Sequence, residues 1–265
     1  MHHVEQYRPI IRGIEAMTFV SNHHFPRHAH DQFGFGMIAS GAQRSWSLVG
    51  QIEAWAGDVI FCNPGEIHDG VPLDGRVRSW TIIYLEPALI NRTVEEEIGG
   101  GLEIVRPVAR DPLLGQNFAR LFASLRDIPP DSLCQEEDFI RAVACILQKN
   151  SVRRPACNHR PSPSLAQALR RLNSAPDQPV SLAELAALCG LSRYQLLRAF
   201  VRQIGTTPHA YLVQKRVSIA RQLLASGALP ARAANDAGFA DQSHMTRAFR
   251  RYVGTTPARY RAAVA

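Results

Sequence analysis

Residues 190–211 read Gly-Leu-Ser-Arg-Tyr-Gln-Leu-Leu-Arg-Ala-Phe-Val-Arg-Gln-Ile-Gly-Thr-Thr-Pro-His-Ala-Tyr. Residues 238–260 read Gly-Phe-Ala-Asp-Gln-Ser-His-Met-Thr-Arg-Ala-Phe-Arg-Arg-Tyr-Val-Gly-Thr-Thr-Pro-Ala-Arg-Tyr. Arg198-Ala199-Phe200 recurs as Arg247-Ala248-Phe249, Gly205 as Gly254 and Tyr211 as Tyr260, each at an offset of 49. Gly190 and Gly238 are 48 apart, so the second copy carries one more residue between its glycine and Arg-Ala-Phe. A match of this length is one supersecondary motif used twice.

Each copy has the pattern of two short helices around a glycine. Ser181-Leu-Ala-Glu184 has the form of a capping box, in which a side chain at each end satisfies free amides of the first turn. Leu182, Leu185, Ala186 and Cys189 then share one helical face. Gly190 suits the left-handed turn that ends a helix. Ser192 is placed to cap the next helix, whose inward face holds Leu196, Ala199 and Phe200. The second copy repeats this with Ala233, Ala234 and Ala237, then Gly238, then Met245, Ala248 and Phe249. The duplicated glycine turn distinguishes a helix-turn-helix from an ordinary helical bundle.

Charge is distributed to match. Residues 165–265 hold 14 Lys+Arg and 4 Asp+Glu, a net of +10; residues 1–164 hold 16 and 19, a net of −3. The whole basic excess lies on the repeat, where a phosphate-binding surface needs it.

These residues resemble the DNA-binding domain of the AraC/XylS family of bacterial transcription regulators. The likeness is carried by Leu185-Ala186 with Gly190-Leu191-Ser192, Arg198-Ala199-Phe200, Gly205 to Pro208 and Tyr211. In the second copy it is carried by Ala237-Gly238-Phe239, Ser243-His244-Met245, Arg247-Ala248-Phe249, Gly254 to Pro257 and Tyr260-Arg261. The resemblance implies two motifs joined by a long helix, here from about Pro208 to Ala225. It implies that the second helix of each motif enters the major groove, with Tyr194, Leu197 and Arg198 facing bases in the first and Gln242, Ser243, His244 and Arg247 in the second. Arg198 and Arg247 can fork onto a guanine and Gln242 onto an adenine, whereas Leu197 can only touch a thymine methyl.

The N-terminal half reads as β. Segments 34–39, 44–48, 59–62 and 79–85 are rich in β-branched and aromatic residues. Turn residues such as Ser40-Gly41, Gly57-Asp58 and Pro64-Gly65 divide them. Short strands at this spacing suggest a small barrel or jelly roll. Residues 1–16 carry few signals and read as an N-terminal arm.

His28-Ala29-His30 and the later Gly57 to His68 stretch resemble the two motifs of the cupin barrel, as in the effector-binding half of many AraC-type regulators. In metal-binding cupins the paired histidines, a carboxylate a few residues on and the later histidine share one ion. Gly34 and Phe35 stand where that carboxylate would fall, so the set is incomplete, with Asp31 and Glu66 as the nearby acids. Three roles stay open for His28, His30 and His68: lining an effector pocket, holding a metal, or packing. We assign them to effector binding. Trp46, Trp55, Phe33, Phe35 and Trp80 are candidate apolar walls, and Arg27, Arg44 and Arg78 candidate partners for an acidic effector. An amino acid, a sugar and an aromatic acid all fit this set.

Residues 112–126 and 133–149 read as two amphipathic helices, separated by Asp127-Ile-Pro-Pro-Asp131. They suit packing on the barrel or pairing with a second chain. The expected organisation is a cupin-like β-barrel domain over 1–110, a helical and dimerising segment over 111–150, a Pro-, Ser- and Arg-rich linker over 151–164 and an all-α domain with two helix-turn-helix motifs over 165–265. The implied function is a sequence-specific regulator with a small-molecule sensor. The alternative is a cupin-type metal-dependent enzyme fused to a DNA-binding domain, but no P-loop, dinucleotide fingerprint or Ser/His/Asp arrangement appears, and no enzyme activity or cofactor is expected. The implied partners are double-stranded DNA, an effector, a second copy of the chain and RNA polymerase at a promoter. Five scattered cysteines without a CxxC pair, no 18-residue apolar run and no apolar leader core after Met1 together suggest a cytoplasmic protein.

Overall fold

A computed structural model describes residues 2–7, 9–47, 49–98, 101–127, 131–149, 151–154 and 163–264. In chain order the elements are β1 (His2–Tyr7), β2 (Ile14–Ser21), β3 (Phe25–His28), β4 (Phe33–Ser40), β5 (Ala42–Ser47), β6 (Gly50–Trp55), β7 (Val59–Cys62), β8 (His68–Pro72) and β9 (Arg78–Leu85). Then come α1 (Pro87–Ile98), β10 (Gly101–Ile104), β11 (Val108–Ala109), α2 (Pro112–Ser124), α3 (Ser132–Lys149) and β12 (Ser151–Arg154). The rest is helical: α4 (Pro163–Ser174), α5 (Leu182–Leu188), α6 (Arg193–Ile204), α7 (Pro208–Ala225), α8 (Pro230–Asp236), α9 (Gln242–Val253) and α10 (Pro257–Val264). The chain divides into two compact parts near residue 157.

The N-terminal part holds a six-stranded sheet in the order β1-β2-β9-β4-β7-β11, a four-stranded sheet β3-β8-β5-β6 and the pair β10-β12. All the strand pairs are antiparallel, and the sheets do not close into one ring. The middle strands of the six-stranded sheet, β4, β7 and β9, are buried on both faces along most of their length. Because side chains alternate, Phe33, Phe35, Val59, Phe61, Ile83 and Leu85 face α2 and α3, where Leu114, Phe118, Leu121 and Phe139 complete the core. Phe35 stacks on Phe61 and meets Phe118 edge-on. The opposite set, including Ile60, Cys62 and Ile82, looks onto a cavity whose far wall is the four-stranded sheet. This double burial explains why these strands read as near-continuous apolar runs.

Two segments differ from the sequence reading. Residues 2–7 form an edge strand instead of an arm; only Val4 is buried, so the strand carries almost no apolar signal. Residues 151–154, assigned to the linker, form β12 against Gly101–Ile104, a pairing across some fifty residues that no local pattern announces. Pro163 and Ser164, the end of the assigned linker, open α4, and linker positions 155–162 lie outside the described residues.

In the C-terminal part the repeated sequence becomes repeated structure. Gly205 and Gly254 close α6 and α9 in the left-handed conformation, at φ +83° and +82°. Two residues on, the Thr207 and Thr256 hydroxyls accept from Ala210 N and Arg259 N, and a proline opens α7 and α10. Gly-Thr-Thr-Pro is therefore one helix stop followed by one helix start. Each copy sets its phenylalanine edge-on to its tyrosine: Phe200 to Tyr211 at 5.7 Å and Phe249 to Tyr260 at 5.3 Å. Ser192 and Gln195 form a full capping box at α6. Ser181 caps α5, but the Glu184 carboxylate turns to Arg171 at 3.0 Å and does not complete the box.

The loop between α4 and α5 is gripped from three sides. Arg171 donates to the carbonyls of Ala175 and Pro179, and Arg216 of α7 donates to that of Pro176 at 2.7 Å. Gly238, the turn glycine of the second motif, packs against the Asp177 backbone so closely that an added β-carbon would overlap Asp177 Cα and O. Its φ of +80° also disfavours any other residue. The two motifs are thus fixed to each other through one loop as well as through α7.

Candidate functional site

Both second helices present polar residues outward. On α6, Arg193, Gln195 and Arg198 are exposed, and Leu197 is half-buried; the Tyr194 side chain lies outside the described residues. On α9, Gln242, Ser243 and Arg247 are exposed, with Arg250 and Arg251 further along. His244 is partly covered, its ring edge-on to Phe239 at 5.2 Å, and Asp241 caps the helix by accepting from its amide at 2.6 Å. The inward faces, Leu196 and Phe200 on one side and Met245, Ala248 and Phe249 on the other, hold the two helices on their supports. Each helix therefore offers one polar face ending in an arginine at the matching position, on a segment of net charge +10.

Two contact candidates were within reach of the sequence and were missed. The offset of 49 that carries Arg198 onto Arg247 also carries Leu197 onto Thr246 and Arg193 onto Gln242. Thr246 is half-buried and bonds back to the Gln242 carbonyl, while Arg193 is exposed.

In the N-terminal part the three selected histidines come together. The register of β3 against β8 sets His28 opposite His68, with ring centroids 4.5 Å apart. His30 follows the end of β3 and lies 4.7 Å from His28 and 5.1 Å from His68. It also meets Tyr84 of β9 at 4.9 Å. One ring nitrogen from each histidine falls within 4.8 Å of the others. His28 Nδ1 lies 2.6 Å from the Pro26 carbonyl and His68 Nδ1 2.9 Å from the Glu66 carbonyl. A carbonyl only accepts, so both Nδ1 atoms carry the proton and the lone pair of the neutral ring is on Nε2. Burial pulls the His68 pKa below its ordinary value.

No carboxylate joins this cluster among the described residues. The Glu66 carboxylate instead accepts from Asn63 N and Nδ2, and Asn63 is in turn tied to both backbone groups of Ile104. At Gly34 there is no room for a side chain, because a β-carbon there would collide with Cys62 Sγ. Phe35 points the other way, into the core under α2. The Cys62 thiol is buried beside Glu66 and pushed up to about 12, so it is a packing group and not a thiolate.

The cavity between the sheets measures about 70 Å³. Gln43, Ser45, Ser47, His68 and Asp69 supply polar wall, and Ile52, Ala54, Ile60 and Ile82 supply apolar wall. Of the aromatic wall candidates only Trp46 lines it. Phe33 and Phe35 belong to the helix-facing core, Trp55 is half exposed, and Trp80 stacks on Phe19 at 4.6 Å. Arg44 pairs with Glu53 on the surface, and Arg27 lies over Trp46 and reaches Asp69 at 3.7 Å. Arg78 is fully buried, donating to Gln43 Oε1 and to the carbonyls of His23 and Gly70; burial lowers its pKa to about 10, which leaves it cationic.

Comparisons with known proteins agree with this division. Residues 9–143 match the family described as AraC-like ligand binding domain, and residues 185–263 match a helix-turn-helix domain family. The chain is 31% identical over 253 residues to the HTH-type transcriptional regulator YbfI of Bacillus subtilis, an alignment covering 92% of this chain and 86% of that one. Its fold is similar to that of ToxT from Vibrio cholerae. The apo K231A structure of ToxT superposes with a TM-score of 0.60 over 97% of this chain and all of that one, at 13% identity. A ToxT structure bound to an unsaturated fatty acid gives 0.56 at 13% identity, over all of this chain and 95% of that one.

Proposed function

The chain belongs to the AraC family of helix-turn-helix transcriptional regulators, and on that premise we propose which residues read DNA and which hold the effector. It is a sequence-specific DNA-binding regulator whose N-terminal cupin-like domain senses a small molecule. The observation that carries the DNA assignment is the pair of second helices, each with an outward polar face and an arginine at the same place in the repeat. Arg198, Leu197 and Tyr194 read through the first motif, and Gln242, Ser243, His244 and Arg247 through the second.

The spacing follows from α7. Its 18 residues span about 27 Å at 1.5 Å each, enough to set two motifs on successive major grooves roughly 34 Å apart. One chain then covers an asymmetric site of two grooves on one DNA face. We place a second copy against α2 and α3, where Leu113, Leu133 and Ile140 are exposed, so that the dimer covers two such sites. Hydroxyl-radical footprinting is expected to show two protected grooves per chain and four at saturation. A single protected groove per chain removes the two-motif reading, and saturation at two grooves removes the dimer.

The chain acts by binding, not catalysis. Its full-length relative is a transcriptional regulator, and Gly34 and Phe35 stand where the carboxylate of the metal-binding cupins would fall. It works in the cytoplasm, where promoter DNA and RNA polymerase are its partners; no helix among the described residues is long and apolar enough to cross a membrane. The cavity of about 70 Å³ beside His68 has mixed polar and apolar walls, which supports a small effector carrying both kinds of group.

His28, His30 and His68 hold the effector, and its preference for one state of the protein shifts DNA affinity. A preference of about 1–3 kcal/mol corresponds to about 5–150-fold. His68→Ala is expected to remove the effector response while leaving effector-free DNA binding within about twofold. Retention of the full response places the effector elsewhere.

A further inference from the structure

We propose that His28, His30 and His68 form a carboxylate-free site for one divalent first-row transition ion, open to the sensor cavity along His68. Three observations carry it. One ring nitrogen of each histidine lies within 4.8 Å of the other two. The nitrogens of an ion ligated at about 2.0–2.1 Å lie roughly 3–3.5 Å apart, so small ring rotations close the set. His28 and His68 are each locked by an Nδ1–H bond to a backbone carbonyl, which fixes the tautomer with Nε2 as the ligating atom. A second bond of this kind is the usual support of a metal-bound imidazole. Finally, His68 is both a member of the triad and a wall of the cavity, so the ion's remaining positions are reached from the effector's side.

The donor set defines the ion and its consequence. Imidazole suits Zn, Ni, Co, Cu and Fe and does not suit Mg or Ca. No fourth protein ligand joins the three histidines among the described residues, and Gly34 presents no side chain on that approach. Three neutral imidazoles leave the ion its full double charge. The ligand it attracts from the cavity is therefore an anionic or strongly electron-donating oxygen or nitrogen group of a few atoms. This last step rests on the reading of the cavity as the sensor site; the metal site itself does not.

The test uses the full-length protein, stripped with a chelator and titrated with Co²⁺ as the probe. One equivalent should produce the intense visible bands of a low-coordinate Co²⁺ site and be displaced by Zn²⁺. His28→Gln, His30→Gln and His68→Gln should each weaken uptake by more than about 100-fold, while His24→Ala, at an exposed histidine outside the cluster, should leave it unchanged. Far-UV circular dichroism checks that the variants fold, and the chelated wild type supplies the same comparison without substitution. Absence of stoichiometric uptake, or equal uptake by the Gln variants, overturns the proposal. If uptake is absent yet His68→Ala still removes the effector response, the ion falls and the effector site stands. Stoichiometric uptake with a DNA affinity indifferent to both Co²⁺ and His68→Ala supports the ion and removes the sensor reading of this cavity.

Discussion

Gly238→Ala is expected to cost the C-terminal domain about 2–5 kcal/mol. Two terms add. A left-handed φ of +80° costs a residue with a β-carbon about 1–2 kcal/mol. The β-carbon would also press on Asp177 Cα and O, which are backbone atoms and cannot rotate away, and overpacking of this kind costs about 1–3 kcal/mol. Against a total stability of about 5–15 kcal/mol that loss is large. Gly190 occupies the equivalent turn at φ +64°, but a β-carbon there would have nothing within 4 Å, so Gly190→Ala should lose only the first term. Urea denaturation of both variants separates the two. Equal midpoints would mean that the Asp177 contact contributes nothing.

Arg247→Ala and Arg198→Ala should each weaken binding to the true site by about 1–3 kcal/mol, about 5–150-fold, with a much smaller loss on random DNA. The reason is geometric. Each arginine is exposed on the polar face of its helix, one position before the alanine that turns inward. A guanidinium there can take two acceptors of one guanine, whereas a phosphate contact would be felt alike on every sequence. Titrations on specific and random duplexes at several salt concentrations distinguish the roles. Equal losses on both DNAs, with a salt slope lowered by about one, would assign the arginine to the backbone. The first motif should discriminate less, because Leu197 offers only apolar contact.

What the sequence disclosed was what is coded locally. Gly-Thr-Thr-Pro contains its own helix stop and start, and Val59–Cys62 is apolar because both of its faces are covered. The histidines were legible through the likeness of His28-Ala29-His30 and Gly57 to His68 to the two cupin motifs, not through the pairing of β3 with β8 that brings them together. Contacts made by distant segments were not. Nothing near Glu184 says that its carboxylate will choose Arg171 over its own helix amides. Phe33 and Phe35 look like pocket walls until the pleat of β4 turns them toward Phe118 and leaves Gly34 on the cavity side. Arg78 looked like a partner for an acid, but the folded chain encloses it among neutral acceptors.

The grip on the 175–180 loop bears on how such a protein can change over generations. The outward residues of α6 and α9 can drift, since the inward faces are what hold those helices in place. The loop is different: Arg171, Arg216 and Gly238 meet it from three separate stretches of the chain. Transplanting one motif from a relative would bring a foreign turn against Asp177 and a foreign loop against Arg216. The heritable module is therefore the whole run from α4 to α10, and new operator preferences arise by substitution within it more readily than by exchange of halves.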